Sequence, residues 1–156
     1  MKTLLHSVIY PAMTLLPARM SSAKAFAMLL AIQAQEDPEQ HRRQWPDGPA
    51  RGLWQFERGG GVAGVLRHAL TRDLALGVCH NLGNAGTVAS VYHRLQHDDI
   101  LAACFARLLL WTIPQGLPGR DDPQEGWNQY VKAWRPGKPI RRTWNKNFSD
   151  AWEAVT

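Results

Sequence analysis

Ser21-Ser22-Ala23-Lys24-Ala25-Phe26-Ala27-Met28-Leu29-Leu30-Ala31-Ile32-Gln33-Ala34-Gln35-Glu36-Asp37-Pro38 reads as one helix with a defined start and stop. Ser21-Ser22 offers a hydroxyl to the backbone N–H groups that a first helical turn leaves unpaired. Ala25, Phe26, Met28, Leu29 and Ile32 recur at three- and four-residue steps, the period of a helix with a buried face. Asp37-Pro38 ends the pattern, because proline has no N–H for a further turn. Glu36 therefore stands at the C-terminal end of a largely buried helix.

Downstream, residues 37–61 turn polar and rich in proline and glycine, ending in Gly59-Gly60-Gly61. The segment is predicted to be irregular. Irregular segments beyond about 12 to 15 residues within a compact domain usually carry function. Helices are predicted to resume over 62–67, 72–80 and 87–97. Asp98-Asp99 suits the positive end of another helix, whose Ile100, Leu101, Cys104, Phe105, Leu108, Leu109 and Thr112 make a broad apolar stripe ending before Pro114. This is expected to be the central core helix. A further helix is predicted over Pro123–Trp134, stopped by Pro136-Gly137, and the last segment places Trp144, Phe148, Trp152 and Val155 on one helical face. Upstream, residues 1–20 hold two short apolar pieces separated by Pro11 and Pro17, expected to form an arm packed on a body of residues 21–156. No period-two run of β-branched residues and no repeat is present, so the expected fold is mainly α in one domain.

Composition agrees with that class. The 156 residues are 45% hydrophobic and 20% charged, which excludes a disordered chain and suffices for one core. Lys and Arg number 18 against 13 Asp and Glu, a net charge of +5 that permits a polyanionic partner. The run 132–146 is basic, carries Trp134 and Trp144, and reads as a solvated face; nucleic acid is a disfavoured partner. Cys79 and Cys104 form no CxxC pair and are expected to be reduced core residues. His93 and His97 are the one i,i+4 histidine pair, without an HExxH context, so no metal and no cofactor is expected. Gly59-Gly60-Gly61-Val62-Ala63-Gly64 lacks the preceding strand and the Gly-Lys end of a phosphate loop. Leu108-Leu109-Leu110 is the densest apolar run and is flanked by Arg107, so no membrane span is expected. Met1-Lys2-Thr3-Leu4-Leu5 imitates a secretory signal, but His6, Tyr10, Pro11 and Pro17 interrupt it, and no cleaved signal peptide is expected.

The chemistry centres on Glu36. Partial burial and the negative end of its helix both disfavour the carboxylate, raise the pKa, and suit a general acid. The competing reading is an exposed terminal Glu paired with Arg42 or Arg43.

The helix ending in Glu36, the spacer 37–51 with Gly48 within it, and then Gly52-Leu53-Trp54-Gln55 resemble the lysozyme-like lytic transglycosylases. Those enzymes carry a helix-terminal Glu-Ser followed at nearly this distance by a Gly-Leu-Met-Gln-type turn. Leu108-Leu109-Leu110-Trp111-Thr112-Ile113-Pro114 stands where the family has the apolar lead-in to an Ala-Tyr-Asn-Ala-Gly segment. Gln124-Glu125-Gly126-Trp127-Asn128-Gln129-Tyr130-Val131 is similar to its late helix bearing a Tyr-Val pair. The resemblance spans roughly residues 21–134. His41-Arg42-Arg43-Gln44 and Trp134-Arg135-Pro136-Gly137-Lys138-Pro139 extend it to small lysozyme-like proteins of tailed phages and prophages. Asp37 stands in place of the family's Ser, Trp54 in place of Met, and the Asn-Ala-Gly turn is absent from its usual position.

The resemblance implies a lysozyme-like helical domain with a cleft and cleavage of the bond between N-acetylmuramic acid and N-acetylglucosamine in peptidoglycan. Glu36 would act as both acid and base, producing a 1,6-anhydro end. Tyr130 would line the cleft and support Glu36, and Gln55 would offer its amide to the sugar or, equally, to the loop backbone. Trp54 and Trp111, on motif segments, are candidate sugar-stacking residues, whereas Trp144 and Trp152 are expected in the core. Arg51 is a candidate contact for lactyl or peptide carboxylates, or is solvated. Glu57 is the candidate second carboxylate, which would permit muramidase-type hydrolysis with an activated water. The alternative of another class is a non-catalytic glycan-binding component of a phage virion or tail. In either case a product made in the cytoplasm would reach the wall by lysis or particle delivery.

Overall fold

Lys2–Leu4 (α1) and Tyr10–Met13 (α2) flank a wider π turn at Leu5–Ile9 in the computed structural model, which describes residues 1–156. Pro11 supplies no N–H to the carbonyl of Ser7 and its ring crowds that oxygen, so the turn before it widens instead of breaking. Leu5, Ile9, Ala12 and Met20 of this region are fully buried in the same cluster as the rest of the core. The N-terminal residues thus supply part of that core. Two buried bonds fasten them: Arg107 Nε donates to the Met20 carbonyl at 2.7 Å, and the Cys104 thiol lies 3.4 Å from the Ala12 carbonyl.

Helix α3, Ala23–Glu36, starts where Ser22 Oγ accepts from the Ala25 N–H at 3.1 Å. Its residues from Met28 to Ile32 have no exposed surface, so it is covered all round and runs through the interior. The neighbours that cover it are the N-terminal π turn, α7 (Asp99–Trp111) and α9 (Arg141–Val155), of which α9 makes the longest contact. Helix α7 is equally enclosed, with Leu101 to Leu110 buried, so two helices share the centre expected of one. Asp98 caps α7 by accepting from the Leu101 N–H at 2.9 Å.

The remaining helices surround this pair. Arg58–Val62 is a π turn leading into α4, Ala63–Arg67; α5 spans Arg72–Asn81 and α6 spans Val88–Arg94. Thr87 and Ser90 cap α6 reciprocally. Helix α6 stops short of the expected 87–97, so His97 lies beyond it and the i,i+4 register with His93 is lost. Helix α8, Pro123–Trp134, begins at its Asp122 cap and ends at Arg135, which takes the left-handed conformation at φ 48°. The fold is mainly helical, with no regular strand. No helix is long and apolar enough to cross a membrane. Cys79 and Cys104 are free and buried, and burial pushes the Cys104 thiol up to about 12.

Residues 37–57 are irregular, as expected, whereas 58–61, expected to be irregular too, wind into the π turn before α4; the irregular part is closely tied. Asp37 is buried and accepts the His41 and Arg42 N–H groups at 2.9 and 2.8 Å, turning the chain immediately after α3. The Gly52 N–H donates to Arg42 at 2.8 Å, and Arg51 and Phe56 exchange backbone bonds at 2.9 and 2.8 Å. Gly52 has φ 78°, and a Cβ there would meet the Leu95 carbonyl at 3.0 Å, so this crossing requires glycine. The Arg42 guanidinium grips Asp99 through two bonds of 2.8 Å, fixing the loop to the start of α7.

Candidate active site

Helix α3 delivers Glu36 into a cleft of about 1070 Å³ bounded by the 37–57 loop, the glycine turn before α4, and the end of α8. Glu36 is half-buried, and its Oε1 accepts the Tyr130 hydroxyl at 2.5 Å. Its pKa is raised to about 7: burial raises it most, the Tyr130 hydrogen bond offsets part of that, and the neighbouring Asp37 charge adds to it. The carboxyl is therefore partly protonated near neutrality while still able to ionise. Burial, followed by the Glu36 charge and hydrogen bond, holds the Tyr130 phenol far above its usual range, so Tyr130 remains the donor. Neither Arg42 nor Arg43 pairs with Glu36; Arg42 is engaged with Asp99.

Packing fixes Tyr130. It is 2% exposed and stacks on Trp144 at 5.3 Å between centroids and 9° between planes. Trp127 closes another side at 5.4 Å. Trp144 is itself held by its indole N–H on the Pro123 carbonyl at 2.7 Å, and Trp144 and Trp152 occupy the core. At Gly126 a Cβ would meet Phe148 at 2.8 Å, so the absence of a side chain lets α8 sit close to α9.

Gln55 and Glu57 line the same cleft as Glu36. Gln55 takes φ 51° and returns its amide Nε2 to the Gly52 carbonyl at 2.9 Å, leaving its Oε1 for another donor. Glu57 is exposed. Gly59, Gly60, Gly61 and Gly64 form part of the lining, and nothing lies within 4 Å of where a Cβ would stand on Gly59 or Gly64. At Gly61 a Cβ would meet Phe56 at 2.5 Å. The glycine turn thus gives the cleft a bare, close wall.

Three expected site residues lie elsewhere. Trp54 is fully buried, with its indole N–H on the Leu29 carbonyl at 2.8 Å; the apolar interior beneath the turn takes the ring, so it presents no face to a ligand in the cleft. Trp111 is off the cleft lining and packs beneath the Arg107 and Arg19 guanidiniums at 5.0 and 5.9 Å. Arg51 folds back onto its loop, donating to the Gly48 and Ala50 carbonyls at 2.7 and 2.9 Å and lying over Tyr92 at 5.7 Å. Its guanidinium is a strut of the 37–57 loop and does not line the cleft.

Other residues take those places. Trp134 lines the cleft and anchors its indole N–H on the Trp54 carbonyl at 2.8 Å. Its four-residue spacing from Tyr130 on α8 is the sequence signal that places both on one face. Gln35 ties the end of α3 to α9: its Nε2 donates to the Ile140 carbonyl at 2.9 Å, and its Oε1 accepts from Thr143 and Asn147 at 3.0 and 2.9 Å. A second depression of about 290 Å³ shares Glu36, Gln44 and Gln55 with the main cleft and extends past His41 to Trp45, an exposed ring stacked on that histidine. Glu36 therefore sits where two hollows adjoin.

The arrangement can hold a proton on Glu36, hand it to an acceptor in the cleft, and take one back. No group of three or more His, Cys, Asp or Glu side chains is placed to hold a metal ion. No family model matches the chain, and neither a curated protein nor a solved structure matches it.

Proposed function

We propose that the protein is a phage-type lytic transglycosylase with a lysozyme-like fold, cleaving peptidoglycan between N-acetylmuramic acid and N-acetylglucosamine. The observation that carries this reading is the half-buried Glu36 carboxyl, with a pKa of about 7 and a Tyr130 hydrogen bond, standing where two hollows adjoin in an open cleft. The motif pattern from Glu36 to Gln55 and the Tyr130-Val131 pair support it.

Protonated Glu36 gives its proton to the glycosidic oxygen as the bond from that oxygen to the muramyl C1 breaks. The N-acetylglucosamine leaves as an alcohol, and the cation at C1 faces a Glu36 carboxylate steadied by Tyr130. That carboxylate takes the proton of the muramyl 6-hydroxyl, whose oxygen bonds to C1 and closes the 1,6-anhydro ring. Glu36 ends protonated, no water is consumed, and one carboxyl suffices for both steps.

A second reading rests on Glu57, which lines the same cleft. If Glu57 activates a water on the far side of C1, the outcome is muramidase-type hydrolysis and a reducing end. The deciding experiment incubates the protein and Glu36→Gln with isolated sacculi and identifies released muropeptides by mass spectrometry. Anhydro ends from the wild type alone support the transglycosylase; reducing ends shift the assignment to hydrolysis. Release by neither protein, both folded and tested on several wall types, overturns the enzyme and favours a glycan-binding virion or tail component.

A further inference from the structure

The basic run 132–146 divides in the folded chain. Arg141 is held by Asn145, Gln124 and the Trp127 ring, and Lys146 pairs with Asp150, both away from the cleft. Lys132, Arg135 and Lys138 instead line the cleft, at the end of α8 and just beyond it. Arg67, the last residue of α4, joins them there. None of these four cations is in an ion pair, and all four are exposed. Glu36 and Glu57 are the only acidic residues lining this cleft. Uncompensated charge of one sign concentrated along a concave surface attracts ligands of the opposite sign and rejects neutral ones by comparison.

The intact glycan backbone offers this cluster no charge, since its N-acetylated sugars are neutral and each muramyl lactyl carboxyl is held in the amide bond to its stem peptide. The stem peptides attached to the muramyl residues do carry carboxylates. Trp134 lies in the same lining, so a sugar ring against its indole would lie beside the cationic end of α8.

Resting on the proposed activity, we propose that Arg67, Lys132, Arg135 and Lys138 form a carboxylate-binding site for stem peptides, which makes peptide-bearing glycan the preferred substrate over peptide-free strands that carry no carboxylate. Arg51 was a candidate for this contact, or a solvated side chain; the fold turns it back onto its own loop and gives the cleft four other cations.

The test uses full-length Glu36→Gln to measure binding and the wild type to measure cleavage, with peptide-bearing strands and with the same strands stripped by an amidase and capped as methylamides at the lactyl carboxylates that the amidase frees. Peptide-bearing strands are expected to bind roughly tenfold more tightly at low salt, and the advantage is expected to shrink as salt screens the exposed charges. Lys132→Glu with Lys138→Glu in the Glu36→Gln background should bring the ratio to about one, and Lys132→Ala with Lys138→Ala should move it the same way. Circular dichroism melts establish that each variant is folded. Equal binding of the two strands, with both cleaved by the wild type, overturns the carboxylate site and leaves the activity intact. Binding and cleavage of neither strand overturns both. Tighter binding of a single-stranded oligonucleotide than of either glycan, lost in the same variants, overturns the site in favour of nucleic acid.

Discussion

Tyr130 donates its hydroxyl proton to Glu36 Oε1 at 2.5 Å, joining the middle of α8 to the last residue of α3. The bond favours the ionised carboxylate, against burial, which favours the protonated form. Its removal in Tyr130→Phe therefore raises the Glu36 pKa above its value of about 7. The alkaline limb of the pH–rate profile is expected to move up by about one pH unit, the size of a hydrogen bond to a charged group. The maximal rate should fall, because the carboxylate needed in the second step loses its donor. A lowered rate with an unmoved limb would show that Tyr130 acts only through packing.

The raised Glu36 pKa also sets a pH dependence of stability. Below about pH 4.5 folded and unfolded chains both carry the proton. As pH rises towards 7 the unfolded chain releases it first, so this contribution to stability declines and is lost above the folded pKa. A shift of this size corresponds to about 3 kcal/mol. Glu36→Gln should therefore be more stable than the wild type at pH 8, and the difference should close at pH ~4. Urea unfolding of both proteins across that range measures it; parallel curves would contradict the assignment.

Gln35 holds the end of α3 through one bond of 2.9 Å to Ile140, just before α9, and two of 3.0 and 2.9 Å to Thr143 and Asn147 within it. Gln35→Ala is expected to lower stability by about 1–2 kcal/mol and to reduce kcat more than it changes KM, because Glu36 is the next residue along. Gln35→Glu, which keeps the acceptor for Thr143 and Asn147, should recover part of kcat. Loss of stability with kcat untouched would restrict Gln35 to a structural role.

Two tryptophans separate core from cleft. Trp54→Ala empties a fully buried site and should cost about 3–5 kcal/mol of stability. Trp134→Ala should cost less and should raise KM for glycan several-fold, because its ring lines the cleft. Thermal melts and steady-state kinetics on the two variants check the assignment. The opposite pattern would return Trp54 to the substrate surface.

Helices were legible where apolar periodicity coincided with chemical stops. Ser22 and Pro38 bracketed α3, and Pro123 with Pro136-Gly137 bracketed α8, so Glu36 and Tyr130 were readable as helix-borne groups. Trp54 and Arg51 were misplaced for a common reason. Neighbouring residues on a tight irregular turn point in unrelated directions, so a turn carrying Gln55 into the cleft sends Trp54 into the core and Arg51 back onto its own carbonyls. Periodicity gives no direction where there is no period.

Local signals determined the mainly helical class, the end of α3 at a carboxylate, and the irregular course of the chain after it, because caps, proline stops and apolar spacing act within a few residues. Contacts between distant segments decided the rest. The Tyr130 donor, the Gln35 clasp and the cationic end of the cleft each depend on how α3, α8 and α9 pack together. The pKa of Glu36 belongs to the same level: the helix end places the charge, but burial by the surrounding chain supplies the largest part of its shift.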